Sequence, residues 1–309
     1  MKKFKDKNDI PTFSIFGVKV RTGKHIKILC IFIFISLSFQ DIFCQSLSPE
    51  RIVKIKNCSV RITIDGETSG TGFFINKTGQ ILTCWHVVES AIIKDSLQQI
   101  IGFKNIGIIL NNGEKRTVGI STYFLQNGNK EAVGYDFCLL NQLKPGSFPF
   151  FKIGDYNIVS EGDDIYTCGF PMGLEQPFIS KGMISTKFVD TLNSINYNGK
   201  NIIMPRTQAL LDLTLNGGNS GGAIVKMGKT IDDDEVIGLA DFVINPIGST
   251  RANDMIRQFS HGVNKYSIEG VDPSKVFIYF TQVMSKMSLG VSGCISTNHF
   301  LNALSNIKN

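Results

Sequence analysis

The sequence predicts an all-β fold, built as a barrel or a sandwich. Short runs rich in Val, Ile, Phe and Thr recur between Gly and Asn residues, which is typical of many short strands joined by turns. A helical period is clear only near the end of the chain, where the apolar residues of 298–307 fall on one helix face. One or two further helical turns are expected within 86–99. The predicted strands are 58–64, 72–76, 80–84, 106–110, 137–140, 164–168, 183–188, 208–211, 222–226 and 236–243.

The composition is that of a globular protein. The chain has 309 residues, of which 42% are apolar and 19% are charged. It is long enough for a sizeable core and differs from a disordered chain, a collagen-like fibre or a coiled coil. Residues 1–44 carry eight Lys and Arg and three Asp and Glu. The remainder therefore has 24 basic and 23 acidic residues. Because the rest of the chain is nearly neutral, we expect no nucleic-acid partner.

Residues 1–44 have the pattern of a secretory signal. A basic flank precedes an apolar run at 28–39, and a polar exit follows it. The run is shorter than the roughly 20 residues that a membrane-spanning helix needs. We predict export to the periplasm or the cell exterior, with the exported domain at 45–309. The alternative is an uncleaved anchor that tethers the protein to a membrane.

Five cysteines lie beyond residue 44, namely Cys58, Cys84, Cys138, Cys168 and Cys294. An odd number leaves at least one thiol unpaired in a monomer. No C-x-x-C pair is present, so the spacing supports neither a zinc site nor a redox site, and no metal or cofactor is expected. Since four of the five lie in apolar runs, we interpret them as small buried hydrophobic residues.

A serine between glycines is the first of three segments suited to nucleophilic catalysis. The string G-G-N-S-G-G places Ser220 within 217–222. Glycines permit unusual backbone angles and let a substrate carbonyl approach the main chain closely. The amides of Gly218 and Ser220 could then point at one oxygen, as an oxyanion hole requires. By itself, the string is also compatible with a plain tight turn.

A histidine and an aspartate stand in comparable settings earlier in the chain. His86 ends the apolar string G-Q-I-L-T-C-W-H, and Asp136 opens the apolar string D-F-C-L-L. A half-buried carboxylate needs a hydrogen-bonding partner. An imidazole N–H would suit, because the pairing holds the ring in the tautomer that accepts a proton from serine. Taken singly, each residue could instead be a satisfied core histidine or an ordinary turn aspartate.

Together these segments resemble the trypsin-like serine proteases, in particular the HtrA/Deg group. The matching strings are G-T-G-F-F-I, G-Q-I-L-T-C-W-H-V-V, Y-D-F-C-L-L, Y-T-C-G-F-P-M-G, S-K-G-M-I-S, the run from Asp212 to Gly222, and V-I-G-L-A. They span roughly 52–243 and resume near 288–305. The resemblance implies two six-stranded antiparallel β-barrels, at about 52–150 and 151–309, with an insertion at about 245–288 and a short C-terminal helix. Since the residues after Val243 already include that closing helix, no PDZ domain of the HtrA kind is expected.

The resemblance also implies a role for each candidate residue. Ser220 would attack the scissile carbonyl of a protein or peptide substrate, His86 would accept its proton, and Asp136 would orient His86. The amides of Gly218 and Ser220 would hold the oxyanion. The implied activity is that of a serine endopeptidase. A catalytically silent binding module with the same fold is an alternative, and so is an esterase that uses the same nucleophile.

The substrate-binding residues are less well defined. The candidates are Thr214, Leu215, Leu239, Ala240, Asp241 and Phe242. By the resemblance, cleavage after Lys or Arg requires an aspartate at the base of the substrate pocket, six residues before the serine. Thr214 occupies that position here, so a small or aliphatic substrate residue is expected. Residues 239–242 are interpreted as an edge strand that pairs with the substrate backbone. An inward-facing Asp241 would repel an acidic substrate side chain.

Two further patterns are interpreted as unrelated to catalysis. Arg51-Ile52-Val53 resembles an activation cleavage site, but Asn219 replaces the aspartate with which a new amino terminus would pair. The carboxylates of 232–235 lack the ligand spacing of a calcium loop. We therefore expect a solvated hairpin turn there. The sequence leaves the oligomeric state open.

Overall fold

The computed structural model describes residues 12–15, 18–21, 46–96, 99–126, 129–197, 199–244, 249–261, 272–284 and 289–307. The chain divides into two units, Met1–Ser48 and Pro49–Asn309. The first contains an antiparallel hairpin of β1 (Thr12–Ile15) and β2 (Val18–Arg21). The apolar run at 28–39, on which the predicted signal depends, lies outside the described residues. Among the described residues, no helix is long and apolar enough to cross a membrane.

The second unit begins with a closed antiparallel barrel. Its region contains β3 (Ser59–Ile64), β4 (Glu67–Phe74), β5 (Ile81–Thr83), β6 (Ile92–Lys94), β7 (Ile100–Phe103), β8 (Ile106–Ile109), β9 (Lys115–Ile120) and β10 (Cys138–Gln142). The strand order is β10-β5-β4-β3-β8-β9, and pairing of β9 with β10 closes the ring. β6 and β7 form a separate hairpin. Gly72 lets β4 approach its neighbours closely, because a Cβ there would lie 2.7 Å from Ile81.

A second six-stranded antiparallel barrel follows. Its region contains β11 (Lys152–Ile153), β12 (Asp164–Gly169), β13 (Phe178–Asp190), β14 (Ser194–Tyr197), β15 (Lys200–Ile203), β16 (Arg206–Asp212), β17 (Ala223–Lys226), β18 (Glu235–Val243) and β19 (Val291–Ser296). The ring runs β18-β17-β12-β13-β16-β19 and is closed by pairing of β18 with β19. β11 adds to β18 in parallel, and β14 and β15 form a separate hairpin. Ile165, Ile184, Leu211, Ile224 and Ile237 are buried inside this barrel.

The two-barrel, all-β fold expected from the resemblance is confirmed. Every predicted strand segment overlaps an observed strand, with shifts of a few residues at the ends. All five cysteines of the second unit are buried, as predicted, and all five are free thiols.

Helices are few and peripheral to the barrels. They are α1 (Pro49–Cys58), α2 (Trp85–Glu89), α3 (Thr122–Gln126), α4 (Asn129–Tyr135), α5 (Ser249–His261), α6 (Pro273–Met284) and α7 (Asn298–Ile307). α7 is the predicted C-terminal helix. α5 and α6 lie within the predicted insertion, whose residues 245–248, 262–271 and 285–288 are outside the described part of the chain. α1, α3, α4, α5 and α6 were not predicted.

Contacts with the second barrel account for α1. Arg51 forms an ion pair of 2.9 Å with Asp234, whose side chain is fully buried, and also donates to the Gly228 carbonyl. Lys54 donates to the Ile231 carbonyl at 2.7 Å. Asp234 further accepts from the Tyr166 hydroxyl at 2.7 Å. The expectation that all of 232–235 is a solvated turn is therefore wrong for Asp234, because its carboxylate has a buried cation as a partner.

Candidate active site

His86 lies on the short helix α2, directly after β5, rather than at the end of the strand as predicted. Trp85, Val87 and Val88 are buried and fix this helix against the first barrel. The His86 side chain retains 44% of its exposed surface. Its neighbours on both sides are buried, whereas the imidazole is partly accessible.

Asp136 makes two hydrogen bonds to His86, one to the imidazole and one to the main-chain amide. Its Oδ2 lies 2.6 Å from His86 Nδ1, and its Oδ1 accepts from the His86 amide at 2.9 Å. Asp136 falls between α4 and β10 with a φ of 52°, a left-handed conformation that aspartate tolerates better than most residues. An ionised carboxylate can only accept, so Nδ1 carries the proton and Nε2 is left free to act as a base.

Burial and charge act in opposite directions on this pair. Burial lowers the pKa of His86, but the hydrogen bond and the charge of Asp136, with smaller contributions from Asp241 and Glu89, raise it above the ordinary value. Burial raises the pKa of Asp136, and the hydrogen bonds and charge from His86 more than offset this, so the pKa of Asp136 is lowered. The geometry therefore favours an ionised Asp136 beside a basic imidazole.

The loop 217–222 is fixed by hydrogen bonds to the first barrel. The Thr71 amide donates to the Ser220 carbonyl at 2.9 Å, and the Thr71 hydroxyl donates to the Gly218 carbonyl at 2.7 Å. Gly218 and Gly221 have φ values of 99° and 82°. A Cβ at Gly218 would lie 2.4 Å from the Phe170 carbonyl oxygen, so both backbone angle and space require glycine there.

The main-chain amides of this loop differ in whether they have an acceptor. The Gly221 amide donates to the Ala240 carbonyl at 2.8 Å. Within the described part of the chain, the amides of Gly218 and Ser220 have no acceptor. They are therefore available for an oxygen of a bound molecule.

The Ser220 hydroxyl donates to the Asp241 carbonyl at 3.5 Å. Among the described residues it makes no hydrogen bond to His86. Catalytic hydrogen bonds are often long or poorly aligned in free enzymes and tighten in the substrate complex. Transfer of its proton to His86 would require the hydroxyl to leave the Asp241 carbonyl.

Asp241 is a member of the site that sequence reasoning placed differently. It lies at a register shift of β18, between Ala240 and Phe242, and such bulges re-aim side chains. Its carboxylate faces the His86–Asp136 pair, and Arg206 contacts it at 3.3 Å. The carboxylate is thus directed to Asp136 and Arg206, and the expected repulsion of acidic substrate side chains stays a prediction. Asp241 could have been found from the sequence by the argument used for Asp136, because it too is a carboxylate in an apolar strand.

Four potential metal ligands converge here. They are Cys84, His86, Asp136 and Asp241, with donor atoms within 4.8 Å of one another. Ligands of a tetrahedral zinc ion sit about 3.3 Å or more apart, given bonds of roughly 2.0–2.3 Å. The 2.6 Å separation of His86 and Asp136 is that of a hydrogen bond. These four side chains therefore fit a hydrogen-bonded cluster better than a zinc site.

The other candidate substrate-binding residues differ in accessibility. Thr214 is exposed, whereas Leu215 is buried. Leu239 is buried and pairs with both β17 and β19, and Ala240 is buried, pairs with β19 and bonds to the main chain of 221–222, so neither is the edge strand that was expected. Beyond the first residue of β17, the edge of β18 from Asp241 onward has no strand partner on that side among the described residues. The ring of Phe242 packs directly over Gly293, where a Cβ would lie 2.0 Å from it.

The chain is similar to a known protein family and to several known proteins. The family described as "Trypsin-like peptidase domain" matches residues 70–239. The chain is 28% identical over 180 residues to the "Probable periplasmic serine endoprotease DegP-like" of Rickettsia conorii, covering 58% of this chain and 29% of that protein. It is 25% identical over 206 residues to "Serine protease HTRA4" of Homo sapiens, covering 65% of this chain and 36% of that protein.

A solved structure shows the same fold. The "HtrA-type protease AlgW with tripeptide" is 18% identical, with a TM-score of 0.50, and the match covers 83% of this chain and 62% of the other. The chain spans about a third of the length of the curated relatives that it matches.

Proposed function

The chain belongs to the family of trypsin-like peptidase domains, and from this premise we propose that it is a serine endopeptidase. The observation that supports the proposal most directly is the hydrogen bond of 2.6 Å between His86 and Asp136. Near this pair lies a glycine-bounded serine, and two main-chain amides of its loop have no acceptor among the described residues. The names of the relatives, which include a periplasmic serine endoprotease and a serine protease, point the same way.

The proposed reaction proceeds through an acyl-enzyme. Ser220 Oγ attacks the scissile carbonyl while its proton passes to His86 Nε2. Asp136 keeps the proton on Nδ1 and stabilises the imidazolium that forms. The oxyanion is held by the amides of Gly218 and Ser220, and His86 then gives its proton to the leaving amine. Water repeats these steps to release the acid product and regenerate Ser220.

The proposed substrate is an extended segment of a protein or peptide. The main chain of 241–243 lies beside Ser220 and has one free edge, so it could pair with substrate as an added strand. Thr214 offers no charge to the pocket, which favours a small or aliphatic substrate residue over Lys or Arg. We also propose a domain at 45–309 that is exported, a location shared with the periplasmic relatives. Retention by an uncleaved anchor is the alternative.

The test is labelling of the purified protein with a fluorophosphonate probe. Labelling should occur in the wild type and be lost in Ser220→Ala and His86→Ala. Ser194→Ala removes an exposed serine and serves as the matched control. Absence of labelling in a sample with a native circular dichroism spectrum would favour the silent binding module. Labelling with turnover of small esters but not peptides would favour the esterase.

A further inference from the structure

A second carboxyl group lies behind the His86–Asp136 pair. The bulge in β18 turns Asp241 away from the strand ladder, and its side chain is only 12% exposed. Its carboxylate oxygens lie within 4.8 Å of donor atoms of both Asp136 and His86. A hydrogen bond between two carboxyl groups this close lowers the pKa of Asp136 and raises that of Asp241. Two carboxyl groups can be bonded to each other directly only if one of them carries a proton.

The surroundings supply too little positive charge for two ionised carboxylates. The groups that face Asp241 are Asp136 from the loop before β10, His86 from α2, Cys84 before α2, Arg206 from β16 and Cys294 from β19. Of these groups, Arg206 carries a permanent positive charge. Its contact with Asp241 is a single one of 3.3 Å, and its other terminal nitrogen donates to Asn193. Both thiols are buried and have pKa values raised by burial, so they remain neutral.

We propose that Asp241 is a positioning residue of this site, which shares one proton with Asp136 and thereby sets the basicity of His86. In the protonated state, Asp241 donates to Asp136 and holds that carboxylate toward the imidazole. In the ionised state, this bond is lost and a second negative charge stands beside His86. The proposal rests on the proposed function, because it concerns the group that accepts the proton of Ser220.

The two states exchange near neutral pH. Burial, the charge of Asp136 and the hydrogen bond between the two carboxyl groups raise the pKa of Asp241 to about 7, against the opposing charges of Arg206 and His86. Release of this proton adds a negative charge, which raises the pKa of His86. A higher pKa leaves less free imidazole at a given pH. The titrations of Asp241 and His86 are therefore coupled and appear as two macroscopic steps.

Replacing Asp241 by asparagine separates the charge from the hydrogen bond. The amide of Asp241→Asn can still donate to Asp136 but cannot ionise. We expect the His86 pKa to fall by about one unit, the size that a removed charge at 4–6 Å produces. The acidic limb of kcat/KM should move to lower pH by the same amount. Asp163→Asn, which removes a carboxylate paired with Lys226 on the barrel surface, is the control of equal charge.

The experiment follows the ring-proton NMR resonances of His86 against pH in the full chain, together with the pH profile of kcat/KM. A downward shift in Asp241→Asn, absent in Asp163→Asn, supports the proposal. An unchanged His86 titration in Asp241→Asn overturns it. If Asp241→Asn loses its native spectrum, Asp241→Ser removes the same charge and decides the question. The NMR titration needs no turnover, so it remains decisive even if the peptidase assignment fails.

Discussion

The hydroxyl of Thr71, on β4 of the first barrel, donates a hydrogen bond of 2.7 Å to the carbonyl of Gly218 in the loop that carries Ser220. The same oxygen accepts from the Phe170 amide at 3.1 Å. Thr71 is fully buried. One side chain of the first barrel therefore fixes the position of the serine loop in the second.

Replacing Thr71 by valine should misplace this loop. The variant keeps the shape of the side chain but leaves a carbonyl and an amide without their partner, at a cost of about 1–3 kcal/mol in the free energy of unfolding. We expect kcat to fall on the order of 10²-fold, since small displacements of catalytic groups can cost that much. Thr71→Ser retains the hydroxyl and should stay close to wild type in fluorophosphonate labelling and urea unfolding. Equal losses in both variants would show that the methyl group, not the hydrogen bond, matters.

Replacing Asp136 by asparagine should suppress turnover without unfolding the protein. The amide would present a donor to His86 and favour the wrong tautomer, so kcat should drop by roughly 10⁴-fold. Steady-state peptide hydrolysis checks the prediction. Asp164→Asn, at a surface ion pair with Lys181, is the control and should change little. A drop of less than tenfold in Asp136→Asn would contradict the proposed role of Asp136.

Activity should rise with pH through the pKa of His86. Only the neutral imidazole accepts the Ser220 proton, and the pKa of His86 is raised by Asp136 against the effect of burial. The rate of labelling should therefore be low at mildly acidic pH and reach its plateau above the ordinary range for histidine. Measuring labelling rates in buffers of constant ionic strength tests this. A plateau that begins below the ordinary histidine pKa would contradict it.

The stability of the protein should show the opposite pH dependence at Asp241. Its pKa rises from 3.8 to about 7 on folding, so the folded state retains a proton that the unfolded chain releases. The resulting cost to stability is absent below the unfolded pKa and grows as pH rises toward the folded one. The melting temperature of Asp241→Asn relative to wild type should therefore increase between about pH 4 and pH 7. A difference that is constant with pH would show that Asp241 is ionised in the folded protein.

Removing the cation that pairs with Asp234 should destabilise the whole unit. Arg51→Met leaves a buried carboxylate without its positive partner, which typically costs about 3–5 kcal/mol. The double variant Arg51→Met/Asp234→Asn should recover part of this loss, because no buried charge remains. Urea unfolding of the two single variants and the double variant gives the coupling free energy. Additive losses would mean that Arg51 and Asp234 act independently.

The strands could be predicted because each carries its own signal. The apolar runs and glycine turns of β3, β8 and β18 are local patterns, and so are the strings around His86, Asp136 and Ser220. α1 has a weak apolar face and depends on Arg51, whose partner is far away along the chain. A contact between residues so distant along the chain leaves no local pattern in the sequence.

The approach of Asp241 to Asp136 was not predicted for a related reason. It depends on one extra residue in the pairing of β18 with β19, and a shift of one residue turns a side chain to the other face. Arg206 offered no signal at all, because nothing in its strand distinguishes it from a surface cation.

The five buried thiols provide an intrinsic probe of transient opening. Cys84 lies directly before α2, and its sulfur donates to the Ala240 carbonyl at 3.4 Å, where the first barrel meets β18. Burial raises its pKa well above the ordinary value, so an alkylating reagent can react only after the two barrels separate locally. The alkylation rate of Cys84, resolved by mass spectrometry from that of Cys294, would measure how often the contact between the first barrel and β18 opens.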